Sequence, residues 1–305
     1  MRCAAVWVCT LGLGLSVSCV SPSVGNSGPA SARTPEQARY EGPVIDLHTH
    51  VLFDEQSGEL AHGGGNPEQL LALLEDPRLE RVGVIVIAPT PGIQRTRELN
   101  DQLAALVAAH PDRLLAIGTV HPADGDDALA ELTRIEQLGF AMLKLHPNTQ
   151  QLDLASPEVN AVVHKAGELG LPILFDFSGL FNASDLGPYI MLAAKNPDAQ
   201  LVLAHMGGTK FHDLLLLSML SQYTWFQNNI WVELSGVARM YTRSPYAEQL
   251  AFVARAIGMD RVLFGSDYPF SRTPSEAIDD VEGLGFRAAE QQMIFHDNAA
   301  SLLGL

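Results

Sequence analysis

The chain has 305 residues, 47% of them hydrophobic, and a formal net charge of -16. A chain of this length and apolar content can bury a large core within one domain. Because binding to phosphate backbones depends on patches of Lys and Arg, the strong acidity argues against nucleic acid as a partner.

The first residues have the pattern of an export signal. Arg2 precedes an apolar run that is too short to span a bilayer comfortably, which favours a secretory signal over residues 1–18. The sequence L-S-V-S-C, ending at Cys19, resembles a bacterial lipobox, although Ser16 stands where that motif usually has Leu. We expect an exported protein held at the membrane by a lipid on Cys19, with ordinary cleavage nearby or a retained anchor as alternatives.

Residues 19–42 lack apolar periodicity and predict a flexible tether. The other two cysteines, Cys3 and Cys9, lie inside the leader, so the mature chain has no pair for a disulfide. A domain without disulfides needs a large core, and we expect that domain over residues 43–305.

Short β-rich runs alternate with longer helical patterns after the tether. Eight strands are predicted, at Val44–Leu47, Val82–Ala88, Leu114–Val120, Ala141–Leu145, Pro172–Phe177, Leu201–Ala204, Ile230–Leu234 and Val262–Phe264. Helices are predicted between and after them, at about Pro67–Leu74, Arg95–Ala109, Gly125–Leu138, Pro157–Leu169, Asp185–Lys195, Lys210–Tyr223, Tyr246–Ile257 and Ser275–Glu282. This alternation predicts a single-domain α/β fold, a TIM-like (β/α)8 barrel. A doubly wound open sheet is the alternative, but no glycine-rich nucleotide-binding motif follows the first strand.

The first strand runs into D-L-H-T-H, whose two histidines indicate a metal ion. Alternate side chains of a strand share a face, so His48 and His50 can reach one ion while Thr49 points away. Asp267, in V-L-F-G-S-D-Y-P after the last strand, adds a carboxylate. Two imidazoles and a carboxylate suit Zn²⁺, with Mn²⁺ or Fe²⁺ as alternatives, and leave room for a reactive water.

Polar residues stand at or just beyond the carboxyl ends of most of the other predicted strands. They include Lys144, His146, Asp176, Ser178, His205, Glu233 and Ser235. The carboxyl ends of barrel strands meet at one mouth, where enzymes of this fold have their active sites. The pattern therefore predicts a metal-centred active site.

Five motifs carry a family resemblance: D-L-H-T-H, L-K-L-H-P, L-V-L-A-H-M-G-G, V-L-F-G-S-D-Y-P and the terminal H-D-N-A-A-S-L-L-G-L. Together, over residues 44–305, they resemble the amidohydrolase superfamily, in particular the amidohydrolase 2 branch. That branch contains aminocarboxymuconate-semialdehyde decarboxylase-like enzymes and related metal-dependent hydrolases. The resemblance implies that His48, His50 and Asp267 bind metal, and that His205 is a catalytic base or acid or a further ligand. The branch usually has His after strand five, where this chain has Asp176, a carboxylate that can still ligate a metal.

The expected chemistry follows from these groups. An ion held by the histidines and carboxylates would lower the pKa of a bound water toward ~7 and polarise a substrate carbonyl. His205 can orient that water or shuttle a proton, and Asp267 can accept the proton of the water. By the resemblance, Lys144 could be a carbamylated bridge between two metals, or else a plain cation that binds a substrate carboxylate. His146 and Arg239, near the same rim, favour a small anionic substrate.

Three functions remain open at this stage. The leading one is a metal-dependent hydrolase whose metal-activated water attacks a C–O or C–N bond of a small carbonyl substrate. The alternatives are a metal-dependent non-oxidative decarboxylase of a small carboxylated ring or dienoate, and a binding protein whose metal site has degenerated. A small molecule is the expected partner in each case, and a homo-oligomer is also open.

Overall fold

The fold is described here from a computed structural model, which covers residues 40–53, 65–178 and 185–305. The predicted signal peptide, Cys19 and most of the predicted tether lie outside the described residues. All described residues belong to one compact unit. Among them, no helix combines the length and the apolar character needed to cross a bilayer.

Eight parallel strands follow one another around a barrel in chain order. They are β1 (Val44–His50), β2 (Leu79–Ile85), β3 (Leu114–Thr119), β4 (Met142–Leu145), β5 (Ile173–Phe175), β6 (Leu201–Leu203), β7 (Ile230–Glu233) and β8 (Val262–Leu263). The segment that follows β8 closes the barrel against β1. The Leu47 N–H donates to the Phe264 carbonyl at 3.2 Å, and the Asp267 N–H donates to the His48 carbonyl at 2.7 Å. The predicted (β/α)8 barrel is confirmed.

Helices cover the outside of the barrel. Within the described residues they are α1 (Pro67–Ala72), α2 (Ile93–Ala109), α3 (Asp126–Gln137), α4 (Pro157–Glu168), α5 (Leu186–Lys195), α6 (Leu215–Leu220), α7 (Val237–Tyr241), α8 (Ala247–Ile257), α9 (Pro274–Glu282), α10 (Ala288–Gln292) and α11 (Asn298–Leu303). Several begin as the sequence signals indicate. The Asn66, Ser156 and Thr273 side chains each accept a backbone N–H of the helix that follows, and a proline stands in the first turn.

Several elements differ from the predictions, and three of them show why. Strand β2 runs over Leu79–Ile85 rather than Val82–Ala88, because its first residues pair with the start of β1. The helix expected over Lys210–Tyr223 is a regular α-helix only in α6, since the chain leaves β6 through an irregular segment with several positive φ angles. Helix α7 was not predicted, because five residues are too few to display a helical period.

Apolar side chains form two layers on either side of the strands. The layer inside the barrel contains Ile45, Leu47, Ile85, Leu115, Ile117, Met142, Leu174, Val202, Ala204, Trp231, Leu263 and Ala299. The larger layer lies between strands and helices. Neighbouring residues of a strand divide between the two, as the pleat requires: Val84 packs outward and Ile85 inward.

One extra residue in β1 aims its histidines at the barrel mouth. From Asp46 to Thr49 strand β1 advances three residues while β2 advances two, which is a β-bulge. Leu47 packs inside the barrel, yet the next residue, His48, lines the pocket above it together with His50. Because of the bulge, Leu47 packs in the barrel core while the next side chain, His48, points into the site.

Candidate active site

His48, His50 and Asp267 come together at the barrel mouth. Asp267 Oδ1 lies 3.3 Å from His50 Nε2 and 3.5 Å from His48 Nε2. Two ligand atoms that are each ~2.1 Å from an ion in tetrahedral geometry lie ~3.4 Å apart, so these separations match a shared ion. The three side chains form a group that can hold one metal ion, and three protein ligands are the usual number in catalytic sites. Their two nitrogens and one carboxylate oxygen suit a divalent ion.

The backbone holds two of the site residues in an uncommon conformation. Asp267 has a φ of 58° and His205 a φ of 61°. Left-handed backbone is disfavoured for residues with a side chain, and it persists where the surrounding structure fixes it, often at functional sites. The Asp267 N–H is fixed by the His48 carbonyl, so the carboxylate is tied to the strand that carries its histidine neighbours.

A second group of possible ligands lies on the other side of His48. It consists of His48, His205 and Glu233. The Ser235 hydroxyl already lies among them, 2.7 Å from Glu233 Oε2, 2.9 Å from His205 Nδ1 and 3.3 Å from His48 Nδ1. Because this hydroxyl takes the position of an ion, the group with Asp267 is the better metal site.

Asp176 and His205 form an ion pair beside the metal group. His205 Nε2 lies 3.2 Å from Asp176 Oδ1, and His205 Nδ1 lies 3.2 Å from the Ser235 carbonyl oxygen. Asp176 also accepts the Asn148 amide at 3.3 Å and the Ser178 hydroxyl at 3.4 Å. In the described part of the chain Asp176 belongs to neither three-residue group, so its predicted role as a metal ligand stays a prediction.

The three predicted substrate-binding residues all line the same pocket. Lys144 is buried, and its Nζ lies 3.3 Å from His48 Nε2. His146 Nε2 lies 3.8 Å from Asp176 Oδ1. Arg239 is exposed at the rim, beyond the buried groups.

The pocket has a volume of about 960 Å³, near the upper end for small-molecule sites. Much of its wall is apolar, including Val51, Ile85, Val86, Ile87, Leu99, Val237, Met240 and Phe270. The Phe270 ring meets the His50 ring edge-on, with centroids 5.1 Å apart. A ligand that reaches the metal group would therefore contact apolar side chains and one exposed aromatic ring.

Burial sets the pKa of most titratable groups in the site. It lowers the pKa of His48 well below its usual value, and the charge of Lys144 adds to this effect. Burial lowers the pKa of Lys144 as well, although Asp176 opposes the change. Burial raises the pKa of Asp46, which accepts the His48 N–H, to about 7. His48 is therefore neutral, which is the form of histidine that ligates metals.

His205 behaves differently from the other histidines of the site. Burial lowers its pKa, but the hydrogen bond to Asp176 and the nearby charges of Asp267 and Glu233 outweigh burial and raise the pKa to about 9. Burial raises the pKa of Asp176, but the hydrogen bond from His205 and the charge of His146 outweigh it and hold that pKa well below its usual range. His205 is therefore protonated at neutral pH.

No role for Glu233 or Ser235 was predicted from the sequence. Both were recognised as polar residues at the end of a strand, but their function depends on the histidines that they contact. The available signal was the carboxylate that interrupts the apolar run I-W-V-E-L-S-G, because such a group is buried only when it is hydrogen-bonded.

The fold and the site together define a barrel protein with a group of residues that can hold a divalent metal ion at the carboxyl ends of its strands. The Amidohydrolase family model (Amidohydro_2) matches residues 45–305, so the chain belongs to the amidohydrolase family. The resemblance of the motifs is confirmed.

Solved structures with the same fold include three decarboxylases. The 2,6-dihydroxybenzoate decarboxylase from Rhizobium matches with a TM-score of 0.66 and 20% identity, over 86% of this chain and 99% of that chain. The 5-carboxyvanillate decarboxylase from Sphingomonas paucimobilis matches with a TM-score of 0.66 and 18% identity, over 86% of this chain and 99% of that chain. A dihydroxybenzoic acid decarboxylase from Polaromonas sp. JS666, with bound manganese and the inhibitor 2-nitroresorcinol, matches with a TM-score of 0.67 and 18% identity, over 87% and 97% of the two chains.

Proposed function

We propose that this protein is a metal-dependent non-oxidative decarboxylase of a small carboxylated ring or dienoate. The observation that carries the proposal is the position of His205, which stands beside the metal group with both ring nitrogens facing acceptors. A carbonyl and a carboxylate can only accept, so the geometry calls for a proton on each nitrogen. A doubly protonated histidine is a proton donor, which decarboxylation requires. The decarboxylases among the structural neighbours support the same choice over the hydrolase expected first.

His48, His50 and Asp267 would hold the ion in this proposal. We propose Zn²⁺ on the basis of the two nitrogen donors and one oxygen donor. Mn²⁺ is the alternative, because a structural neighbour contains manganese. When bound, the ion would fix and polarise an oxygen of the substrate.

The residues of the chain perform the remaining steps. The apolar walls exclude water from the bound ring, which favours the neutral product CO₂ over the charged carboxylate. The bond between the ring carbon and the carboxylate breaks, and its electron pair stays on the ring carbon. His205 Nε2 then delivers its proton to that carbon, and CO₂ leaves. Asp176 holds the proton in place until that step and stabilises the charged imidazole.

The substrate contacts proposed for Lys144, His146 and Arg239 rest on their place in the pocket wall. Lys144 and His146 lie deep, close to the metal group and to Asp176. Arg239 lies at the rim, where a guanidinium can bind a second anionic substituent. A substrate with two anionic groups separated by an apolar ring would match this arrangement.

Hydrolysis is the second candidate, and the position of Asp267 favours it. The Asp267 side chain is 17% exposed and lines the pocket beside both histidines, so it can take a proton from an attacking water. The two reactions are separated by measuring CO₂ release from hydroxybenzoates and dienoates alongside cleavage of esters, lactones and amides, with the Zn²⁺ or Mn²⁺ protein. Ester, lactone or amide cleavage without CO₂ release would contradict the decarboxylase.

His205→Gln tests the proton donor within the same assay. Loss of a general acid lowers kcat by ~10²–10⁴-fold. His212→Gln is the matched control, because His212 is exposed outside the pocket. An unchanged kcat in His205→Gln would remove His205 from the reaction. Protein that folds correctly but contains no metal in any preparation would instead favour a binding protein.

The leader sequence supports a further proposal about location. We propose that the protein is exported and attached to the membrane by a lipid on Cys19, with the tether that follows. Labelling with radioactive palmitate and separation of membranes tests it. Wild-type protein is expected in the membrane fraction with label, and Cys19→Ala is expected to be unlabelled and released.

A further inference from the structure

One buried carboxylate, Glu233, lies beside His48 and His205, two of the histidines in the proposed mechanism. Glu233 is fully buried at the end of β7, and its Oε2 lies 3.1 Å from His48 Nδ1. The opposite nitrogen of the same ring, Nε2, faces Asp267 at 3.5 Å. His48 therefore uses one nitrogen toward Glu233 and presents the other to the metal group.

Ser235 connects Glu233 to His205. Its Oγ lies 2.7 Å from Glu233 Oε2 and 2.9 Å from His205 Nδ1. The Ser235 backbone N–H also donates to Glu233 Oε1, and the His205 backbone N–H lies 3.4 Å from Glu233 Oε2. The side chain and backbone of Ser235 thus hold the carboxylate in place and connect it to the His205 ring.

The chemistry of these groups fixes the direction of each hydrogen bond. A carboxylate accepts, so the Ser235 hydroxyl donates its only proton to Glu233 and accepts one from His205 Nδ1. The His48 Nδ1 must likewise carry a proton to bond with Glu233. The lone pair of His48 is then at Nε2, on the side of His50 and Asp267. A histidine that donates its far N–H to a carboxylate is oriented and made a stronger metal ligand.

We propose that Glu233 is a positioning residue that orients two histidines at once, His48 directly as a metal ligand and His205 through Ser235 as a proton donor. Only the part of this inference that concerns His205 rests on the proposed function. The part concerning His48 needs only that the site binds a divalent ion. Glu233, at the end of β7, would then orient both a metal ligand and the proton donor.

Zn²⁺ binding by the full-length chain tests the first part, with Glu233→Gln compared with Ser235→Ala. The amide of Glu233→Gln is nearly the same size, but it weakens the bond to His48. We expect Zn²⁺ affinity, measured by competition with a fluorescent chelator, to fall by ~10–100-fold. Ser235→Ala removes the longer contact of the hydroxyl with His48 Nδ1, at 3.3 Å, but keeps the bond between Glu233 and His48 at 3.1 Å. Its Zn²⁺ affinity is therefore expected within about threefold of wild type.

The kinetic readout separates the second part. Ser235→Ala is expected to lower kcat and leave KM unchanged, because it disturbs the proton donor and not the bound ion. Wild-type affinity in Glu233→Gln, or an equal loss of affinity in Ser235→Ala, would overturn the division of roles. Absence of any decarboxylation by the wild type would remove the proposed function but leave the affinity result valid.

A spectroscopic measurement covers the case in which Glu233→Gln does not fold. Nitrogen NMR of the histidine rings in Zn²⁺-loaded wild type reports which nitrogen of each ring carries a proton. The proposal requires His48 to carry its proton on Nδ1 and to be bound through Nε2, assigned by comparison with His48→Gln. A proton on His48 Nε2 would overturn the proposal without reference to activity.

Discussion

Asp176 Oδ1 lies 3.2 Å from His205 Nε2, so the carboxylate after β5 forms an ion pair with the histidine after β6. The two side chains are nearly buried, and each stabilises the charge of the other. From the family resemblance of the motifs, a histidine would be expected in the place of Asp176. In this chain that place therefore supplies a partner for the proposed proton donor.

This pair leads to a prediction about pH. His205 donates a proton only when it is protonated, and its pKa is raised to about 9. A bound divalent ion adds positive charge near His205 and lowers this pKa, so we expect kcat to fall as the pH rises through the pKa of His205, at or below about 9. Asp176→Asn removes the negative charge, so the falling limb is expected to move to lower pH. A pH–rate profile that is identical in Asp176→Asn and wild type would contradict the role of the pair.

Metal binding distinguishes the two carboxylates of the site. Asp267 lies within 3.5 Å of both histidines of the metal group, and Asp176 lies outside that group. We expect Asp267→Asn to lose Zn²⁺ affinity by about 100-fold or more, beyond the usual effect of a residue that only supports a ligand. Asp176→Asn is the matched control and is expected to keep the metal. Equal metal loss in both variants, measured by elemental analysis after dialysis, would establish Asp176 as the fourth ligand predicted from the sequence.

The rim of the pocket gives a prediction about substrate affinity. Arg239 is exposed and lines the pocket, away from the buried groups. Arg239→Ala is expected to raise KM for a substrate with a second anionic group by about tenfold, equivalent to ~1.4 kcal/mol, with little change in kcat. Arg243→Ala serves as the control, because Arg243 is also exposed but does not line the pocket. An equal rise in KM in the two variants would show that Arg239 acts only through its charge and makes no specific contact with the substrate.

A buried network outside the site gives a prediction about stability. Glu131 on α3 is buried; its Oε1 accepts the Asn100 amide of α2 at 2.8 Å, and it pairs with Arg134 at 2.8 Å. Glu131→Ala leaves these donors without that acceptor and is expected to lower the free energy of unfolding by ~2 kcal/mol. Glu98→Ala breaks an exposed pair and is expected to cost less than ~1 kcal/mol. Urea unfolding measures both, and similar values would show that burial adds nothing at Glu131.

The barrel and the metal group can be predicted from the sequence, because the evidence for both lies in local patterns. The alternation of strands and helices identifies the barrel, and that fold brings strand ends together at one mouth. D-L-H-T-H places His48 and His50 near each other, and Asp267 follows the last strand, where the chain hydrogen-bonds to β1. The pleat puts the two histidines on one face of the strand, but the bulge in β1 is what turns that face toward the mouth.

Other features depend on contacts that no local pattern records. The bulge between Asp46 and Thr49 is a matter of register between two strands. The contact of Asp176 with His205 depends on how far each chain segment continues beyond its strand. The role of Glu233 likewise depends on the rotation of the His48 ring and on the position of the Ser235 hydroxyl.

The central claim is that His48, His50 and Asp267 hold one divalent ion. A crystal structure of the Zn²⁺-loaded protein, with anomalous scattering recorded at the zinc absorption edge, tests it most directly. We expect an anomalous peak ~2.0–2.2 Å from His48 Nε2, His50 Nε2 and an Asp267 oxygen. A peak between Glu233 and His205 instead, or a well-ordered site with no anomalous peak at saturating Zn²⁺, would contradict it.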